Sequence, residues 1–313
     1  MNIGIDMMGG DFAPLEAVKG IQHYLAQNPG PVHLHLIGDA AQIESLLLDH
    51  TLPVATFSIT HAPQVIGMHE HPTKALKEKR ESSIAVGFRL LASETLDAFI
   101  SAGNTGAMLV GSLYSLKPLE GVLRPTISTI IPKESGGTGL LLDVGLNADC
   151  KPEHLNQFAV MGSVYAQTIL GIKNPRVALL NIGEEEGKGN LLCQATYPLL
   201  KENSHLNFIG NVEGRDILLD KADVMVCDGF TGNIILKLAE SLFQITKDKN
   251  IEHEYFNRFN FEAYGGTPVL GIAKPVIIGH GISKSASFSN KISLAQKMIE
   301  SDIMKKLAAE VAH

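Results

Sequence analysis

Val177-Ala178-Leu179-Leu180-Asn181-Ile182-Gly183-Glu184-Glu185-Glu186-Gly187-Lys188-Gly189-Asn190, with the segment Leu191–Glu202 behind it, decides the fold class. The apolar run Val177–Leu180 suits a short buried strand, the polar glycine loop interrupts it, and the residues that follow have helical spacing. The same order recurs along the chain. Ile3–Asp6 leads through Met7-Met8-Gly9-Gly10-Asp11 into a segment with Leu15, Val18, Ile21 and Leu25 on one face. Ala98–Ile100 leads through Ser101-Ala102-Gly103-Asn104-Thr105-Gly106 into Ala107–Leu116. Val224–Val226 leads through residues 227–233 into Ile234–Leu242, and Val276–Ile278 leads through Gly279-His280-Gly281 into a last helical stretch.

Short apolar strands alternating with helices imply an α/β fold of three layers, α/β/α, around a largely parallel, Rossmann-like sheet. Further strands are expected at Val32–Ile37, Ile127–Ile131 and Leu140–Asp143. Ligands of such sheets bind beyond the carboxyl ends of the strands, where these polar loops fall. The organisation expected is a single domain over residues 1–313. One segment stands apart: 246–262 sets Lys247, Asp248, Lys249, Glu252, His253, Glu254 and Arg258 around Tyr255, Phe256, Phe259 and Phe261. It reads either as a small projecting helical arm or as a solvated connection with aromatic anchors.

Acidic side chains outnumber basic ones by 33 to 26, and the net charge of −7 is the wrong sign for a general nucleic-acid binder. Cys150, Cys193 and Cys227 are scattered and match neither a disulfide framework nor a zinc site. The first residues lack the basic and apolar regions of a secretory signal, and the most apolar long window, 158–172, is interrupted by Ser163, Gln167 and Gly171. The expected location is the cytoplasm.

In the loop 183–190 a lysine between two glycines stands before a helix. Backbone N–H groups, the helix N-terminus and the ammonium can converge there on one phosphate. The spacing is not that of a Walker A loop, and three consecutive glutamates would repel an anion unless they turn away. A solvated charge run on a surface loop is the other reading. Asp228-Gly229-Phe230-Thr231-Gly232-Asn233 repeats the architecture with neutral donors, and Asn104, Thr105 and Gly106 offer a similar set. Each of these doubles as a helix cap. Gly9 and Gly10 permit close backbone approach to a ligand, and Asp11 either binds there or caps a helix. Asp143 and Asn147 close another strand, and His280 between two glycines is an acid/base candidate. His33 and His35 alternate along a strand and are expected to face solvent. There is no G-x-S-x-G elbow and no complete dinucleotide fingerprint. The loops are built to hold an anion and stabilise charge, which suits direct attack by bound phosphate.

The chain resembles the acyl-acyl carrier protein:phosphate acyltransferases of bacterial phospholipid synthesis. The matching segments, in order, are 6–11, 79–83, 101–106, 142–147, 150–162, 180–190, 211–216, 227–233, 264–266 and 279–281, which together reach over almost the whole chain. The resemblance implies transfer of a long-chain acyl group from acyl carrier protein to inorganic phosphate. It also implies a homodimer and loose association with the inner face of the membrane; no cofactor or metal is expected. The family's catalytic lysine and asparagine fall on Lys188 and Asn233. Gly9, Gly10, Asp11, Asn104, Thr105, Gly106, Asp143, Asn147, Gly187, Gly189, Asp228, Thr231, Gly232 and His280 are then the candidates for binding substrate.

Two departures stand out. Met7 replaces the usual alanine, and the stretch 244–262 is shorter and more charged than the family's apolar-tipped arm. Lys74, Lys77, Lys79 and Arg80 form the densest basic cluster, suited either to an acidic carrier or to a solvated helix face. The rival readings are a phosphate acetyltransferase-like enzyme using acyl-CoA, an isopropylmalate-type dehydrogenase, and a non-catalytic scaffold that binds acyl carrier or membrane.

Overall fold

A computed structural model describes residues 1–28 and 30–311, apart from the side chains of Phe261 and Glu262. The aromatic anchor expected at Phe261, and residues 29, 312 and 313 of the expected domain, lie outside the described residues. Two units form: Met1–Lys117 with Glu262–Glu300, and Pro118–Phe261 with Ser301–His313.

The first unit opens with β1 (Asn2–Asp6), α1 (Leu15–Gln27), β2 (His33–Gly38), α2 (Ala40–Asp49) and β3 (Ser58–His61). Next come α3 (Pro72–Glu78), α4 (Ser83–Ala92), β4 (Ala98–Ser101) and α5 (Thr105–Ser115). In the second unit β5 (Thr126–Pro132) and β6 (Thr138–Leu142) precede α6 (Pro152–Thr168), β7 (Arg176–Asn181) and α7 (Leu191–Glu202). It continues through β8 (Asn207–Glu213), β9 (Val224–Val226), α8 (Gly229–Asp248) and the short α9 (Glu254–Asn257). The chain returns to the first unit for β10 (Thr267–Leu270), β11 (Val276–Ile278) and α10 (Ser285–Glu300), and ends in the second with α11 (Ile303–Val311).

Strand order in the first unit is β3-β2-β1-β4-β11-β10, parallel except for β10 against β11. Ile5 stands between Leu36 and Ile100 in register, so one layer of branched side chains crosses three strands. Burial on both faces explains why β1 and β4 read as continuous apolar runs rather than alternating ones. α1 and α10 pack together and are joined by the Tyr24 hydroxyl, which donates to Gln296 Oε1 at 2.5 Å. In the second unit the order is β5-β6-β9-β7-β8, with β5 and β6 antiparallel and the other pairs parallel. Because β6, β9 and β7 run the same way, the loops that follow them emerge at one edge of their sheet. By the same logic the loops after β1, β4 and β11 share an edge in the first unit.

The mixed α/β architecture with a mostly parallel sheet agrees with the sequence reading. β3, β8 and β10 were not legible as strands. One orientation is corrected: His33 and His35 do not face open solvent. Both rings are half-buried against β3, with His33 Nε2 at 2.8 Å from Ser58 Oγ and His35 Nε2 at 2.7 Å from Thr60 Oγ1. Once β3 is present, alternation puts these rings beside hydroxyls rather than water.

After α8, the segment 246–262 folds against the end of β5. Arg258 Nη1 donates to the Lys133 carbonyl at 3.0 Å, and Phe259 is buried. Among the described residues, no helix is long and apolar enough to cross a membrane.

Candidate functional site

In the second unit the three edge loops are fixed by side chains that the sequence hides among ordinary caps. Asp143 is fully buried where β6 ends. Its Oδ1 accepts from the N–H groups of Gly145 and Leu146, each at 2.9 Å, and its Oδ2 accepts from Asn147 N at 2.9 Å and Asn147 Nδ2 at 2.6 Å. Burial pushes this carboxyl up from its ordinary value, against the pull of those four donors. Asn147 also donates to the Pro125 carbonyl at 2.8 Å. Asp143 and Asn147 therefore shape the loop from within.

The loop before α8 locks onto this one. Gly229 N donates to Asn147 O at 2.7 Å, and Asn233 Nδ2 donates to Val144 O at 3.1 Å. Asp228 caps α8, taking the Thr231 N–H on Oδ1 and the Thr231 hydroxyl on Oδ2, both at 2.9 Å. Gly232 is demanded by space: a Cβ there would sit 1.8 Å from the Asp143 carbonyl oxygen.

The loop 183–190 is anchored by three amides that the sequence reading missed. Asn181 Nδ2 donates to Lys188 O at 3.1 Å, Asn211 Nδ2 to Glu185 O at 2.9 Å, and Gln194 Nε2 to Gly189 O at 2.9 Å. Asn181 ends β7, and an amide at a strand end was the one available signal. Gly189 needs its freedom, having φ of +93° and Asn181 Oδ1 where a Cβ would lie. Asn190 caps α7 through Cys193 N at 2.9 Å.

Two of the three glutamates turn away, while the Glu185 carboxylate lies near Gly183. Glu184 pairs with Lys221 and Glu186 with Lys201, each at 2.5 Å. Lys188 is exposed, its stem lying over Gly183, and its ammonium makes no ion pair or hydrogen bond with the described residues. The loop thus presents one uncommitted cation at the head of a helix, next to Gly187 and Gly189.

A cleft of about 860 Å³ runs along this unit, bordered at one end by Gly189, Asn190, Asp228 and Thr231 and flanked by the exposed Ile182, Leu238 and Leu242. Both candidate loops therefore open onto one space. The rest of the lining is mostly apolar, with Leu155, Leu180, Ile217, Ile235 and Ala239 in it, and also includes Glu213 and Arg215. Cys193 and Cys227 also line it. Burial pushes both thiols up, and that of Cys150 up to about 12, so none of the three is a thiolate near neutral pH.

The first unit holds the remaining candidates. Asp11 N donates to Gly281 O at 2.8 Å, which brings Gly9, Gly10 and Asp11 together with His280. Asp11 and His280 are exposed. Buried Asp6 supports this turn, accepting from Ser101 Oγ at 2.6 Å and from Met8 N at 3.0 Å. Burial raises its carboxyl as it does that of Asp143. Asn104 serves the fold at both ends of its amide: Oδ1 caps α5 at Ala107 N, and Nδ2 donates to Gly67, Met68 and Glu70 carbonyls. Thr105 is exposed in the first turn of α5, and Gly106 abuts Pro72. Sequence reasoning also missed Lys291, a buried lysine of α10 whose Nζ reaches Ser283 Oγ at 2.9 Å.

A family model described as fatty acid synthesis protein matches residues 1–306. The chain belongs to that family. Its relatives include the phosphate acyltransferase of Dictyoglomus turgidum, 43% identical, with the match covering 98% of this chain and 96% of that one. The phosphate acyltransferase of Desulfitobacterium hafniense strain DCB-2 is 44% identical, covering 99% and 98%, and that of Aquifex aeolicus is 44% identical, covering 98% and 96%. Among solved structures, a phosphotransacetylase from Streptococcus pyogenes superposes with a TM-score of 0.69 at 17% identity, covering 97% of this chain and 94% of that one. A branched-chain phosphotransacylase from Enterococcus faecalis gives 0.59 at 15% identity, covering 96% and 100%. At that identity the likeness concerns the fold. The family found is the one that the ordered motifs of the sequence resemble.

Proposed function

We propose that this protein is an acyltransferase that moves a long-chain acyl group from acyl carrier protein to inorganic phosphate, giving acyl phosphate for phosphatidic acid synthesis. A phosphate oxygen attacks the thioester carbonyl carbon, the carbon–sulfur bond breaks, and the sulfur leaves to be protonated as the carrier thiol. The observation that carries this reading is the loop 183–190, where the Lys188 ammonium stands uncommitted at a helix N-terminus while lysines draw two of the three glutamates aside.

Lys188 holds phosphate and offsets the charge that develops on the attacked thioester. Asn233 donates to the thioester oxygen or to phosphate. Gly187, Gly189, Asp228, Thr231 and Gly232 shape the same edge, and Asp143 and Asn147 hold it in place. The raised thiols of Cys150, Cys193 and Cys227 fit direct attack by phosphate better than a covalent cysteine intermediate. In the first unit, the Gly9–Asp11 turn and His280 form a separate set of candidate substrate contacts.

The enzyme works as a homodimer in the cytoplasm, in loose contact with the inner face of the membrane. A dimer is supported by the stripe Phe230, Ile234, Leu238, Leu242 and Ile245, exposed along one face of α8 and beginning at the candidate loop. The acidic carrier docks on the basic residues around α3. Lys74, Lys77 and Arg80 are exposed there without an ion pair among the described residues, whereas Lys79 is engaged with Glu70.

The test is acyl phosphate formation by the purified protein from palmitoyl-acyl carrier protein and inorganic phosphate, with palmitoyl-CoA and acetyl-CoA as competing donors. Turnover with the carrier, lost in Lys188→Ala, is the expected result. Activity with acetyl-CoA alone would move the enzyme to the phosphotransacetylase class, and silence with every donor would leave a scaffold.

A further inference from the structure

The cleft of the second unit has more room, and more grease, than an attack by phosphate on a carbonyl requires. Its volume of about 860 Å³ falls in the range of small-molecule sites, about 300–1,000 Å³. Leu155, Ile217, Leu180 and Ala239 are nearly inaccessible from outside, and Phe259 closes the wall contributed by the segment after α8. Polar groups collect at the end where Asn190, Asp228 and Thr231 stand. Of the ionised groups along the wall, Arg215 is paired with Glu213 at 2.7 Å.

We infer that this cleft holds the alkyl chain of the acyl donor, with the thioester at its polar end. The inference rests on the proposed function and names a binding site for that reaction. Charge bears on the occupant: Glu213 and Arg215 offset one another and Asp228 adds a negative charge, so an anionic or nucleotide-like guest is disfavoured beside Asp228, while a neutral hydrocarbon is not. Position selects which part of the substrate enters. A chain lying along Leu180, Ile235 and Ala239 leaves its head group beside Gly189 and Thr231, hence beside the loops that carry Lys188 and Asn233. Each methylene buried there strengthens binding about four-fold, so depth becomes chain-length preference.

Ala239 and Ile235 give opposite handles on that depth, because both line the cleft from α8. Ala239→Leu fills space that is empty in the wild type, and Ile235→Ala enlarges it. The experiment compares kcat/KM for octanoyl- and palmitoyl-acyl carrier protein, together with KM for phosphate, in proteins first shown to unfold cooperatively. Ala239→Leu is expected to cut palmitoyl transfer at least ten-fold, change octanoyl transfer less than two-fold, and leave KM for phosphate unchanged. Ile235→Ala should shift preference toward the longer chain.

A second readout needs no turnover: binding of an S-hexadecyl pantetheine thioether, which cannot transfer its chain, measured by calorimetry. Ala239→Leu should weaken that probe at least ten-fold while an S-octyl analogue binds as before. Equal losses on both chain lengths, or an unchanged affinity for the long probe, would overturn the site. If the wild type transfers no acyl group yet binds the long probe in a manner sensitive to Ala239, the chain site stands and the proposed reaction falls.

Discussion

Asn233 Nδ2 donates to the carbonyl of Val144 across 3.1 Å, so the first turn of α8 is tied to the loop that Asp143 organises at the end of β6. The contact fixes the amide plane and leaves its second N–H and its oxygen for other partners. Asn233→Asp keeps the volume and removes the donor. A purely structural amide would lower stability by about 1 kcal/mol with little effect on rate. A residue that also serves the reacting oxygen should lower kcat by about 100-fold or more. The second outcome is expected, and urea unfolding beside steady-state rates separates the two.

Lys188 is exposed and holds no partner among the described residues, so its replacement should barely touch the fold. Lys188→Ala is expected to shift stability by less than about 0.5 kcal/mol. Its rate of acyl phosphate formation should nonetheless drop by about 100-fold or more. Lys188→Arg keeps the charge but not the compact ammonium, and should recover only part of the rate with a raised KM for phosphate. A phosphate titration of both variants checks this, and unchanged phosphate kinetics in Lys188→Ala would remove the lysine from the anion site.

Gly232 lies where an added Cβ would stand 1.8 Å from Asp143 O, backbone against backbone, so nothing flexible can give way. Gly232→Ala should cost about 3 kcal/mol or prevent folding. Gly187→Ala is the control in the neighbouring loop, since a Cβ there meets no atom within 4 Å. It should cost less than about 1 kcal/mol. Chemical denaturation of the two variants provides the comparison, and similar costs would contradict the packing described.

The recurrent strand–loop–helix order made β1, β4, β7, β9 and β11 legible, because strands buried on both faces leave unbroken apolar runs such as Val177–Leu180. β3 and β8 escaped for the opposite reason. Ser58-Ile59-Thr60-His61 and the half-exposed Asn207–Glu213 border their sheets, where polar residues are tolerated. At the site, glycine loops and caps could be read, whereas the division of labour within them could not. Asn104 and Asn233 have the same residue type in similar settings. The first spends its amide on three carbonyls and a cap, and the second makes a single bond among the described residues. That difference depends on the 67–70 turn reaching Asn104, a contact between residues more than thirty positions apart. The anchors Asn211 and Gln194, and the cleft behind α8, likewise exist only through long-range packing.

Burial raises the thiols of Cys150, Cys193 and Cys227, the first up to about 12 against an ordinary value of about 8.5. Raised values mean that the reactive thiolate is scarcer in the folded chain at any pH below them. Iodoacetamide at pH 8 should therefore modify the native protein at least about ten-fold more slowly than the urea-unfolded chain. Mass spectrometry of the alkylated peptides resolves the three sites. One thiol reacting at its unfolded rate would contradict the burial described for it.

Lys133 is almost wholly buried at the end of β5, with Nζ 3.1 Å from Asp223 Oδ1 and 3.2 Å from Asp220 Oδ1. Arg176 completes the cluster, reaching Asp223 Oδ2 through Nε at 3.0 Å and Asp220 Oδ1 through Nη2 at 2.9 Å. Burial by itself would raise the Asp223 carboxyl, but hydrogen bonds from the Arg176 side chain and backbone and from Lys133 outweigh it and hold that carboxyl well below the usual range. A carboxyl depressed on folding contributes stability above its unfolded value, about 3.9, and that stability is lost as pH falls below it. Asp223→Asn leaves a buried ammonium without its nearest counter-charge, and should cost about 3–5 kcal/mol at pH 7. The gap to wild type should narrow as the pH is lowered from about 4 towards 2, because Asp223 of the unfolded chain takes up a proton there while the folded carboxyl keeps its charge. Urea unfolding of both proteins across that range tests the sign, and a gap that stayed constant down to the lowest pH would show that Asp223 is not the group whose titration is felt.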